Sequence, residues 1–414
     1  MTAALLASCL LGLGLGSGPA ESGEAALQAT AGLRTLLPAS GPDRSAPSVE
    51  VQPRLGVTVD APAAELTLAY LPLFTWVDDP GAARRTWLHL ASLAGSARLA
   101  PAWTGRGQLQ ASLGTSDLLT SPTLLTAAGQ PPPVAQRAPT GSTLDSRRAT
   151  VELGLDGQLD PRLDLRSTLG AAREGGVDAA DLLLLPLQQS GHGSAALDWR
   201  ASHTDALRGT LTGQATHYFD VPVSAGDPAL EPTAASWTTW ISTLTGGWSH
   251  DLARDTRGLL DAGLALTGGD GPGQAALRAV PAASLGLEHA PPPEAARLSG
   301  GLVVALAPVS DRLGGLVQER VDLRAHAAWS PAPRWALLAS LSGGVVVDGA
   351  SRGDRLGFAE ARLGWTVVDD LELFAALRGS AQDQHQPVAA RTAEWSASLG
   401  AAVAHRGQRA RSGW

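Results

Sequence analysis

The sequence predicts an all-β fold, a transmembrane antiparallel up-and-down β-barrel of about 16–18 strands. Three observations carry the prediction. Segments of roughly ten residues that alternate apolar with polar side chains recur from residue 50 to residue 405, the two-residue period of a strand with unlike faces. Connections alternate between short and long, the order of tight periplasmic turns and extended external loops. After Ala20 no apolar run reaches the ~20 residues of a transmembrane helix, so membrane placement requires a closed barrel.

Bulk composition is compatible with this reading. Hydrophobic residues make up 44% of the 414, and mean hydropathy is +0.03. That resembles a soluble protein, but a spanning strand shows only half its side chains to lipid. A formal charge of −8 argues against nucleic acid, which needs a basic stripe. All 31 basic residues are arginine. The single cysteine, Cys9, lies in the leader and leaves the mature chain without thiol chemistry.

Residues 1–20 read as a signal peptide, with an apolar core at 3–16 followed by Ser17-Gly18-Pro19-Ala20; Leu6-Ala7-Ser8-Cys9 also resembles a lipoprotein cleavage box. Residues 21–49 are rich in Ala, Ser, Pro and Glu and are expected to form a periplasmic lead-in or a lumen plug. The barrel is expected over 50–405, with a C-terminal tail at 406–414. Within it, Val51–Val59 and Leu66–Trp76 alternate clearly, a less regular strand follows near Trp87–Arg98, and Trp103–Gly114 is cleaner. Thr/Pro/Ala-rich 115–147 and residues 170–194 read as long loops, the second containing Leu182–Leu185 as a loop anchor or further strand. Seventeen strand candidates emerge.

The most regular unit is the hairpin Val321–Val347. Val321, Leu323 and Trp329 share one face, against Asp322, Arg324 and His326 on the other, and the turn Ser330-Pro331-Ala332-Pro333 leads into Trp335. Extending the alternation gives a candidate pore-lining set. Early in the chain it comprises Arg54, Glu65, Arg106, Gln108, Gln110 and Glu152. Asp164, Arg166, Asp198, Arg200, Arg208 and Gln214 continue it. Asp322, Arg324, His326, Glu360, Arg362, Glu372, Arg378 and Glu394 complete it. At 16–18 strands side chains no longer fill the lumen, so an aqueous channel is expected unless a segment plugs it.

No catalytic, cofactor or metal site is expected. The nine histidines are scattered, without a zinc-site pair. Gly349-Ala350-Ser351-Arg352-Gly353 matches G-x-S-x-G but lacks the following helix that exposes a nucleophilic serine.

Leu66–Pro72 (LTLAYLP), Gly105–Ser116 (GRGQLQASLGTS) and the SPAPRW turn at Ser330–Trp335 make the chain resemble integral outer-membrane barrels of myxobacterial and related Gram-negative type. Terminal Trp414 is similar to the aromatic read by barrel-assembly machinery. Some such barrels are thought to form the exit of polysaccharide secretion. The resemblance therefore implies an outer-membrane export porin, with lipid, a polar solute or polysaccharide, and periplasmic export components as partners. A plugged barrel acting as surface adhesin or scaffold is the alternative expectation, followed by a barrel-embedded hydrolase.

Overall fold

The computed structural model describes residues 20–37, 44–78, 84–116, 144–223, 233–271, 274, 277–292, 297–311, 315–349, 352–384 and 390–408. The strands are β1 (Ala20–Leu37), β2 (Arg44–Ala61), β3 (Ala64–Tyr70), β4 (Leu73–Val77), β5 (Arg84–Ala100), β6 (Trp103–Ser116) and β7 (Leu144–Asp160). After β8 (Leu163–Gly176) comes the short helix α1 (Ala179–Leu184), then β9 (Gln188–Arg200), β10 (Asp205–Val223), β11 (Thr233–Ala253), β12 (Thr256–Gly269) and β13 (Arg278–His289). The remainder are β14 (Leu298–Ser310), β15 (Val317–Ala332), β16 (Trp335–Asp348), β17 (Arg355–Val368), β18 (Leu371–Gln384) and β19 (Ala390–Gln408).

Every neighbouring pair is antiparallel, and β1 pairs with β19 from Ser22↔Gln408 to Leu37↔Ala393, which closes the sheet. β3 and β4 both lie between β2 and β5, so they are two halves of one stave and the barrel has eighteen. The break falls at Leu71-Pro72, where proline offers no ladder donor. Closure satisfies the edge groups that an open sheet would leave bare in lipid.

Several expectations are corrected. Residues 20–37, read as part of a lead-in or plug, supply β1, and 44–49 open β2. This segment was misjudged because its alternation is carried by small residues: Ala25, Ala29 and Ala31 alternate with Gln28, Thr30 and Gly32. The irregular third candidate is a continuous strand, β5. Leu182–Leu184 belong to α1, which Asp178 caps by accepting from the Asp181 amide at 2.9 Å. The SPAP turn is tighter than expected, at 333–334, and the last strand runs on to Gln408. The leader, Cys9, residues 117–143 and Trp414 lie outside the described residues.

Tryptophans mark the apolar band. Trp199, Trp248, Trp329, Trp335 and Trp365 are exposed near the short-turn ends of their strands, and Trp76, Trp87 and Trp395 near the long-loop ends. On β11, Trp240 and Trp248 share a face eight residues apart. At ~3.4 Å per residue and ~40° tilt this is about 21 Å of height, close to the ~25 Å apolar band of an outer-membrane barrel.

The luminal wall as candidate functional site

Residues opposite one another in a ladder share a face, so the register sorts every side chain. One row runs Glu65–Ser96–Arg106–Gly154–Thr168–Ser194–Thr212–Thr243 across β3 to β11. Followed around the barrel, such rows place all twenty candidate residues on one face. The opposite face carries exposed Leu68, Leu109, Leu169, Leu244, Leu285 and Leu399.

Reach shows which face is concave. Arg378 on β18 lies 3.2 Å from Glu50 on β2, with β19 and β1 between them. Three strand spacings of ~4.8 Å separate these backbones, and two side chains can close that distance only by leaning across the inside of a curve. The charged face therefore lines the lumen.

That lining has three regions. From β6 to β10 the ion pairs face water: Arg106 lies 2.7 Å from Asp156, and Arg166 and Arg200 each lie 3.1 Å from Asp198 and Asp164 respectively. Arg208 donates to the other oxygen of Asp198 at 2.5 Å. The arginines are more open than their partners: Arg166 is 56% exposed and Arg200 60%, against 14% for Asp198 and 29% for Asp164. Gln108 stands opposite Glu152, Gln110 opposite Thr150, and Glu152 lies 3.7 Å from His192. Gln214 donates to Thr216 at 3.2 Å.

From β17 through the closing strands to β2, Arg34, Arg362 and Arg378 are much drier, although Arg54 on β2 stays exposed. Arg378 is 12% exposed and is held by Glu360 at 3.1 Å as well as Glu50. Arg34 is 10% exposed and lies 2.8 Å from Glu394. Arg362 binds Glu372 at 3.0 Å, reaches Gln28 at 3.2 Å, and rests 3.9 Å above the Phe374 ring. Gly32 and Gly400 leave room beneath, since a Cβ on Gly400 would lie 2.5 Å from Phe374 Cζ.

A third region folds the wall onto itself. Tyr218 on β10 is 2.7 Å from Ser310 on β14 and donates to the Asp311 carbonyl at 3.2 Å, although the backbones are four spacings, about 19 Å, apart along the sheet. Trp237 Nε1 donates to the Gly315 carbonyl at 3.2 Å, and Ala265, Val280 and Ala282 form a separate buried cluster on the intervening β12 and β13. Between this region and the dry sector, Asp322 forms a buried pair with Arg320 at 2.8 Å, while Arg324 faces Ser342 and His326 packs over Gly301. Arg54 stands opposite Ala26 on β1.

Sequence reading missed Gln28 and Arg34, because they lie in the segment assigned to a lead-in, missed Glu50, because the first strand was begun at Val51, and missed Arg320, whose same-face spacing to Asp322 was a usable signal. Ser351 of the G-x-S-x-G match lies outside the described residues. Among the described residues no group of three or more His, Cys, Asp or Glu is arranged to hold a metal.

A closed antiparallel barrel with a leucine-rich outer face, tryptophans at both rims and a charged interior defines an outer-membrane-type β-barrel. The chain belongs to the EpsX exopolysaccharide export family, whose sequence profile matches residues 24–408. No curated protein sequence matches it. Among solved structures it is similar to the copper transporter OprC (10% identity, 94% of this chain and 81% of that one, TM-score 0.49). It is also similar to the ferric-catecholate import receptor Fiu of E. coli K12 (11% identity, 94% and 82%, TM-score 0.45). A third is the toluene transporter TodX of P. putida (10% identity, 94% and 91%, TM-score 0.35).

Proposed function

We propose that this chain is a non-enzymatic channel in a bacterial outer membrane and the exit for a secreted polysaccharide, with periplasmic export components delivering the polymer to its short-turn end. The observation that carries the reading is the β6–β10 wall, where arginines paired to better-buried carboxylates stand open to the lumen. A guanidinium whose charge is balanced from behind keeps N–H donors free for hydroxyl or carboxylate oxygens of a passing sugar, without the tight grip of an unpaired cation. The neighbouring Gln108, Gln110, Thr168, Ser194, Thr210 and Thr212 extend the polar track on the same face. Membership of an exopolysaccharide export family supports the cargo class, and an eighteen-stave barrel is wide enough for an aqueous path. The test is single-channel recording of the purified full chain in planar bilayers. Stable ohmic openings are expected, and a folded protein that gives no open current would overturn the reading.

A further inference from the structure

Outward-facing arginines on the strands are confined to one rim. Arg85, Arg147, Arg173, Arg355 and Arg391 are all exposed and lie within four residues of a long-loop strand end. At the other rim the outward strand positions hold Asp160 and Asp205 but no arginine among the described residues, and Arg162, Arg254 and Arg334 sit in the turns beyond. Within the cationic rim two settings differ. Arg355 and Arg391 both stand opposite Asp383. Arg147 faces Leu113 and Gly175, and Arg173 faces Ala149 and Gln189, so neither has a carboxylate across the ladder, while Arg85 faces Trp76 on β4.

Arg147 and Arg173 are moreover diagonal neighbours on β7 and β8, about 7–8 Å apart. Two like charges this close repel unless an anion sits between them. Asp145 shares the outward face two residues before Arg147, so one carboxylate flanks the pair on its own strand. Asp145 accepts from Thr115 Oγ1 at 2.5 Å, and Asp181 accepts from the Asp145 amide at 3.3 Å. Burial, reinforced by Asp178 and Asp145, pushes the Asp181 carboxyl above its ordinary value. Beside the arginines, the β8–α1 connection and α1 expose Val177, Leu183 and Leu184, large apolar side chains on a segment outside the strands.

We infer that Arg85, Arg147 and Arg173, with the leucines of α1, form a binding surface for a phosphorylated glycolipid of the outer leaflet. The cationic pair takes the phosphate through bidentate N–H donors, and the apolar residues rest among the upper acyl chains. The inference rests on the outer-membrane placement proposed above, but its readout does not depend on conduction.

The experiment is native mass spectrometry and thermal melting of the full chain in detergent micelles, titrated with bisphosphorylated lipid A or with its dephosphorylated form. Wild type is expected to bind the phosphorylated lipid at least ten-fold more tightly. The double variant Arg147→Gln/Arg173→Gln is expected to lose that preference, while Arg355→Gln/Arg391→Gln retains it; folding is checked by the heat-modifiable mobility of the barrel. Should the double variant fail to fold, Arg147→Lys/Arg173→Lys keeps the charge, and a drop of several-fold is expected because the bidentate fork is lost. Equal binding of both lipids by wild type, a preference untouched in the variants, or tight binding of inorganic phosphate alone would each overturn the assignment. A protein that shows the lipid preference but passes no current would leave this surface standing and remove the channel.

Discussion

The β6–β10 wall and the β17–β2 seam are built from the same arginine–carboxylate pairs, facing the same lumen, and differ in water. In the first, Arg166 and Arg200 are more than half exposed; in the second, Arg378 and Arg34 are close to one-tenth exposed. An ion pair in water contributes little, because Coulomb attraction is screened and side-chain entropy opposes it. A buried pair contributes little net as well, yet removing one partner is costly because the other charge is left without solvent. Residue type therefore does not reveal role here. The open pairs are free to meet cargo, while the dry network holds together strands from opposite ends of the chain, where Gln28, Arg34 and Glu50 meet Arg362, Glu394 and Arg378.

Substitutions separate these roles, and the largest effect belongs to the seam. Arg378→Ala leaves Glu50 and Glu360 facing each other without a cation, and a loss of about 3–5 kcal/mol is expected in urea unfolding of the barrel in lipid vesicles. Phe374→Ala removes the ring beneath Arg362 and is expected to cost about 3 kcal/mol in the same titration. Gly315→Ala probes the fold-over region. Gly315 has φ +64, and an added Cβ would lie 2.7 Å from Trp237 Nε1, so about 1–3 kcal/mol should be lost, with Tyr218 and Trp237 fluorescence becoming more solvent-exposed. Smallest is Arg166→Gln in the open wall, expected to change stability by less than about 1 kcal/mol while altering channel selectivity. Equal losses for Arg378→Ala and Arg166→Gln would erase the distinction.

The barrel itself was legible because alternation sets a face for each residue, and Leu109, Leu169 and Leu399 against Gln108, Arg166 and Glu394 gave it cleanly. The first stave was not, since alanine on the lipid side of β1 contrasts weakly with glycine and threonine inside. The twenty lining positions followed from period alone. Their division into wet and dry did not, because it depends on which strands the closing register brings to either side of β19. Tyr218 and Trp237 were likewise hidden: an inward aromatic at a strand end reads as an interfacial girdle residue until β10 is seen to meet β14.

The central claim is that cargo moves along the open arginine wall. It is tested most directly by adding an acidic polysaccharide to the short-turn side of single open channels and measuring block in wild type and in Arg106→Gln/Arg166→Gln/Arg200→Gln/Arg208→Gln. Voltage-dependent block of wild type, weakened at least ten-fold in the variant with its open conductance retained, is the predicted result. Block of equal strength in both channels would contradict it.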